Sequence, residues 1–175
     1  MSSTEITIGV TAAVLLFWTV GAHNRLVNLR NAIVRSFVTV DEQFRLRHAL
    51  LLQLLDALAL RVGGSSPTLE ALRAAVAQAS AACAHASARP GAAGAVTSLR
   101  LAETILTETR ARVPARTTAA AGLAEIDAQL AASDNALAFA RGRFNKAVAE
   151  YNSAVRQFPT WLIAALFSFR PAGTL

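Results

Sequence analysis

The chain has 175 residues, room for one ordinary domain with an appended segment and too little for two separate cores. It is 54% hydrophobic yet 6% aromatic, with Ala at 39 positions, one Cys, 5 Pro and 9 Gly; this excludes collagen-like, disulfide-framework and low-complexity classes and points to packed helices. Seventeen basic against 11 acidic residues give +6, but the tightest groups, Arg45/Arg47, Arg110/Arg112/Arg116 and Arg141/Arg143/Lys146, have acids within a few turns and no interleaved aromatics, so nucleic acid is not an expected partner.

A mean hydropathy of +0.40 is high for a fully soluble chain, and the excess is localised. Ile6 to Ala22 is 17 residues without an ionisable side chain, close to the ~20 that cross a ~30 Å hydrocarbon layer. Thr4, His23 and Asn24 can extend it, Trp18 can lie at an interface, and Arg25 can snorkel. A cleaved signal peptide would start with a basic region, whereas this chain starts Met-Ser-Ser-Thr-Glu, so an uncleaved anchor over 1–23 is expected, touching membrane lipid through 6–22. Arg25, Arg30 and Arg35 follow the anchor while Glu5 precedes it; the charge rule then places the rest of the chain in the cytoplasm, as a single-pass protein of the inner (cytoplasmic) membrane.

Beyond the anchor the first helix continues. Ile33, Phe37, Val40, Phe44, Leu51, Leu55 and Leu58 recur in steps that keep one face apolar. Gly63-Gly64-Ser65-Ser66-Pro67 ends it and starts the next helix, over about Pro67 to Ala88, with Ser66 as N-cap. Arg89-Pro90-Gly91 and Gly94 break the chain before a third helix, about Ala95 to Arg112, which Val113-Pro114 ends. The last and longest runs from about Thr117 to Gln157, with Leu123, Ile126, Leu130, Leu137, Phe144, Val148, Tyr151, Val155 and Phe158 on one stripe. The spacing predicts an all-α protein: an anchor helix continuing into an antiparallel up-down four-helix bundle over 24–159, two helices long and two short. A short apolar tail over 160–175 returns to the anchor end, where Trp161, Phe167 and Phe169 either cap the bundle or enter the headgroup layer.

The search for chemistry yields no catalytic, cofactor or metal site. His23, His48 and His85 are not paired at the spacing of two ligands on one helix, Cys83 reads as a small core residue, and Glu103, Glu108, Glu125, Asp127 and Asp134 read as surface acids. Asn145 and Asn152 share a face with Arg141 one turn earlier, and Asn24 and Asn31 share one on the first helix. Antiparallel packing would bring these together as a register-fixing polar network, or as a polar site near the membrane.

Two stretches resemble the LemA family of membrane-anchored helical proteins. Asn24-Arg25-Leu26-Val27-Asn28-Leu29-Arg30-Asn31 is similar to its N-x-L-V-x-L-R-N, and Val40-Asp41-Glu42-Gln43-Phe44-Arg45 stands in place of its I-D-V-Q-L-K. Ala140-Arg141, Phe144-Asn145, Val148, Tyr151-Asn152 and Phe158-Pro159 resemble its A-R-x-x-Y-N-x-x-V-x-x-Y-N-x-x-x-x-x-F-P, with Phe169 at a late aromatic. Where the family usually reads R-R-x-D-L-I-P-N-L, Leu46-Arg47-His48-Ala49-Leu50-Leu51-Leu52-Gln53-Leu54 lacks the Asp, Pro and Asn. The resemblance implies an anchored antiparallel four-helix bundle without an established general activity. With no catalytic set in view, the expected function is a membrane-anchored scaffold or adaptor with a protein partner or self-association; the alternative is a lipid-surface protein using the basic faces and the tail.

Overall fold

The computed structural model describes residues 2–62, 64, 66–113 and 123–175, and all regular structure among them is helical. In chain order these are α1 (Ser3–Val62), α2 (Pro67–Ala88), α3 (Ala93–Ala111), α4 (Ala124–Arg156) and α5 (Thr160–Leu166). α2 spans the residues the sequence predicts because its start is chemically marked: the Leu69 N–H donates to Ser66 Oγ at 3.3 Å, and Pro67 fills the first helical position. Gly64, at φ +149°, donates its N–H to the Ala59 carbonyl at 3.1 Å and closes the end of α1 in a conformation that a side chain disfavours. α3 begins slightly before the expected Ala95, after Ala92, which has no side-chain acceptor to offer. Pro114, and the fourth helix's expected start at Thr117, lie outside the described residues; α4 is described from Ala124.

α1 is one unbroken helix of 60 residues, ~90 Å long. Its N-terminal part is long and apolar enough to cross a membrane: an 18-residue window has mean hydropathy 1.7 and only 6% of it is buried in the protein. Burial begins at Ala22 and Leu26 and continues through the whole predicted stripe, Ile33, Phe37, Val40, Phe44, Leu51, Leu55 and Leu58. These steps of four, three and seven repeat every 3.5 residues on average, the spacing at which a helix keeps one seam against its neighbours.

The side-chain ties set the directions of the helices. Moving along α1, Asp41 meets Ser87, His48 meets Ser80 and Asp56 meets Arg73, so α2 runs antiparallel to it. Phe37 meets Phe144 edge-on at 5.5 Å and Arg47 meets Asp134, so α4 is antiparallel to α1 as well. The expected stripe of α4 is buried from Leu130 to Val155, but Phe158 is 75% exposed. Gln157 is the C-cap of α4, so Phe158 has already left the helical period that placed it inward.

The apolar core is in two parts. The part nearer the N-terminal apolar stretch joins Leu26 to Phe44 of α1 with Cys83, Leu99, Leu137, Phe144, Tyr151 and Ile163. The distal part joins Leu50 to Leu58 with Leu69, Leu72, Val76, Leu106, Leu123 and Leu130. The break falls between Phe44 and Leu50 on α1, and a layer of polar side chains occupies it.

Candidate functional site

Arg47 and His48 enter that layer from α1, Glu103 from α3, Asp134 from α4 and Ser80 from α2. Glu103, 3% exposed, accepts from Arg47 Nη1 at 2.5 Å through one oxygen and meets His48 Nε2 at 2.6 Å through the other. Arg47 Nε donates to Asp134 Oδ1 at 2.7 Å, and Arg110 reaches the second oxygen of Asp134 at 3.3 Å. Ser80 Oγ lies 3.2 Å from His48 Nδ1. Arg141 covers the Phe44 ring at 5.0 Å, its Nε buried without a hydrogen-bond partner, and burial pulls its guanidinium pKa down. A buried cation and anion so placed hold each other because breaking the pair strands a charge away from water.

The order Ser80 hydroxyl, His48 imidazole, Glu103 carboxylate is that of a nucleophile relay. Ser80, however, lies in the middle of α2, where successive N–H groups are committed to carbonyls four residues back and cannot face a developing oxyanion. Glu103 is also shared with the Arg47 guanidinium. The arrangement therefore binds four helices at one level more readily than it activates a hydroxyl.

Glu103 and Arg47 correct the sequence reading, which took Glu103 for a surface acid and placed Arg47 in one of the basic groups. Both are buried, because each is the other's counter-ion on a separate helix. Asp134 is half-exposed and still joins them. No group of three His, Cys, Asp or Glu side chains that could hold a metal ion occurs among the described residues.

Cys83 lies in the core next to this layer, as a small core residue would, and donates to Asp41 Oδ1 at 3.2 Å. Desolvation first, and the Asp41 carboxylate second, push its thiol up to about 12. The thiol is thus held neutral and is a poor nucleophile. In the unfolded chain it ionises near its ordinary value, so its contribution to stability is whole below about pH 9 and is lost as pH rises from there toward 12. N-ethylmaleimide at pH 8 is expected to leave Cys83 unmodified in the native full chain and to label it fully in urea, read by intact mass. Rapid labelling of the native chain would contradict this burial.

At the end of the body where α1 enters it, the last residues turn back along α4. Asn152 donates from Nδ2 to the Ala172 carbonyl at 2.9 Å and accepts from the Ala172 N–H at 2.8 Å. Asn145 does the same for Leu175, at 2.8 and 2.9 Å. The Tyr151 hydroxyl donates to the Arg170 carbonyl at 3.0 Å. The spacings match: seven residues of helix rise ~10.5 Å, and three extended residues cover ~10 Å. Gly173 is required by proximity, since a Cβ there would lie 2.9 Å from the Ala93 Cα at the start of α3.

This corrects the expected polar network. Asn145 and Asn152 pair with tail backbone, whereas Asn24 and Asn31 are exposed and make no side-chain hydrogen bond among the described residues, and Arg141 belongs with Phe44. α4 does return to the start of α1, but the Asn side chains are committed to the tail.

α5 has a buried face and an exposed face. Thr160, Ile163 and Ala164, at i, i+3 and i+4, are buried, and the latter two share a cluster with Ala22 and Leu26. Trp161, Leu162, Leu166 and Phe167 face outward, 46%, 46%, 72% and 49% exposed. His23 sits where α1 enters the body, its ring 4.6 Å from Phe167 and 5.6 Å from Phe169. Trp18 and Phe169 are partly buried against the core part that contains Leu26, and Arg25 is exposed.

These features define an all-helical protein with one long N-terminal apolar helix, a buried ionic layer and a backbone-clamped tail. Residues 36–175 match the model of the LemA family, and the chain belongs to that family. The match begins at Ser36, so the similar stretch at Asn24–Asn31 lies outside it. No curated protein and no solved structure matches the chain.

Proposed function

We propose that the protein is a single-pass membrane protein whose body is an antiparallel up-down four-helix bundle, two helices long and two short, acting as a non-enzymatic scaffold on the cytoplasmic side of the inner membrane. The continuity of α1 carries this reading. One helix supplies both an unpartnered apolar stretch and the spine of the folded body without a break at the boundary, so the body would be held at a fixed position relative to the bilayer instead of on a flexible tether. Arg25, Arg30 and Arg35 on the body side support the cytoplasmic orientation.

A C-terminal alkaline phosphatase fusion is expected to be inactive and a C-terminal green fluorescent fusion bright, both in the carbonate-resistant membrane fraction. The opposite pair of signals would reverse the orientation, and recovery in the soluble fraction would remove the anchor. For the scaffold role, gentle detergent extraction is expected to yield the full chain in a complex of fixed stoichiometry, with itself or another protein. A monomer under every gentle condition would count against it.

The outward face of α5 favours a second reading, a lipid-surface protein. Its four apolar side chains project beside His23, at the level where α1 would emerge from hydrocarbon, as in a helix lying in the headgroup layer.

A further inference from the structure

Above α5, at the same end of the body, a cavity of about 820 Å³ opens between α1, the α2–α3 connection, α4 and the tail. Three arginines line it, Arg30 from α1, Arg89 from the end of α2 and Arg170 from the tail, together with Ser87, Tyr151 and Ser168. No acidic residue lines it, and none of the three arginines makes an ion pair among the described residues. The contrast with a second basic cavity is direct: Arg35, Arg143 and Lys146 line that one with Glu150 among them. Arg45, Arg47, Arg73 and Arg110 are each matched to a carboxylate, whereas Arg25, Arg35, Arg100, Arg112, Arg143 and Arg156 make no ion pair among the described residues. What sets this cavity apart is that three such guanidiniums, from three parts of the chain, line it with no acid among them, which leaves a site short of an anion.

At Arg30, the rim of the cavity nearest the apolar stretch, height along α1 points to a lipid headgroup as the anion. Arg30 follows Ala22 by eight residues, ~12 Å along α1. Side chains on a helix lean toward its N-terminus, here toward the bilayer, which lowers the guanidinium by about one turn, ~5 Å. That brings it to the depth of the headgroups, which extend ~5 to 8 Å beyond the hydrocarbon. We infer that this cavity takes the phosphate-bearing headgroup of an anionic phospholipid from the adjoining leaflet, held by Arg30, Arg89 and Arg170. A guanidinium presents paired donors to phosphate oxygens, which suits it to this task better than a point charge.

The inference rests on the anchored reading, and the test separates the two. The full chain, purified from membranes in a neutral detergent, is titrated with phosphatidylglycerol or phosphatidylcholine, and bound lipid is read by native mass spectrometry. One arginine at an anionic surface is worth about five-fold in affinity. The native chain is therefore expected to retain phosphatidylglycerol at least ten-fold better than phosphatidylcholine. The combined variant R30Q/R89Q/R170Q should lose that preference, R30K/R89K/R170K should keep most of it, and the charge-matched R100Q/R112Q/R143Q should keep all of it. Equal loss in both Gln variants, or no preference in the native chain, would overturn the site while leaving a membrane-fractionating chain anchored. Tight binding of soluble glycerol phosphate without lipid would overturn the lipid assignment. Recovery of the chain from the soluble fraction would instead remove the anchored reading itself.

Discussion

Replacing Glu103 with Ala is expected to destabilise the folded chain by about 3 to 5 kcal/mol, because it leaves the buried Arg47 charge with only the half-exposed Asp134 as counter-ion and His48 without its carboxylate. For a chain of this size that corresponds to a fall in melting temperature of roughly 6 to 20 °C, measured on the full chain in detergent by circular dichroism. The same principle gives a second expectation of opposite sign. Replacing Arg47, His48 and Glu103 together by Met, Leu and Leu removes every member of the buried set at once, and such exchanges are commonly neutral or stabilising by about 1 to 4 kcal/mol. If the single substitution costs less than ~1 kcal/mol, water reaches the layer and the pair is not desolvated. If single and triple substitutions cost the same, lost packing and not stranded charge is responsible.

What the layer contributes beyond its modest net energy is position. Leu, Val and Ala on a 3.5-residue repeat can slide by one heptad and still bury their seam, so the apolar stripes of α1 and α4 do not choose their own register. Arg47 with Glu103 and Asp134, and His48 with Ser80, fix one level on four helices at once. A shift of any helix by a heptad would separate these partners and leave charges buried alone.

The sequence made the helices legible and left the polar layer illegible, and the reason is physical. Periodicity locates a face, so the stripe from Ile33 to Leu58 and the capped start of α2 at Ser66-Pro67 could be read directly. Burial of a charge depends on a counter-ion from a different helix, and nothing at Glu103 alone announces Arg47, 56 positions away. The one local signal was negative: Arg47 and His48 are adjacent polar residues at the start of a leucine-rich stretch, on the helix that also carries the core seam. The spacing of Asn145 and Asn152 was visible for the same reason as the stripes. Their partners were not, since backbone N–H and C=O groups carry no residue identity and the tail is apolar enough to draw attention to its side chains instead.

Those partners give the second large effect. Each Asn makes two hydrogen bonds to the tail, worth about 1 kcal/mol apiece, so N145A/N152A is expected to weaken docking of residues 170–175 by ~4 kcal/mol, or about a thousand-fold in the equilibrium between docked and released. The tail amides of Ala172 and Leu175, which donate to Asn152 and Asn145, are the reporters. Their hydrogen exchange should accelerate by up to that factor if docking limits it, while amides in the middle of α1 and α4, held by the core, should not change. The single substitutions should differ in reach. N145A releases the far end only, so Leu175 exchanges faster and Ala172, still clasped by Asn152 and next to Tyr151, does not. N152A opens the middle and weakens both, because the chain between Arg170 and Leu175 then spans the gap with no tie. If the double substitution leaves both amides protected, the tail is held by its packing instead: Ala172 in the core and Gly173 against Ala93. G173A, which forces a Cβ toward the Ala93 backbone, should then be the change that releases it.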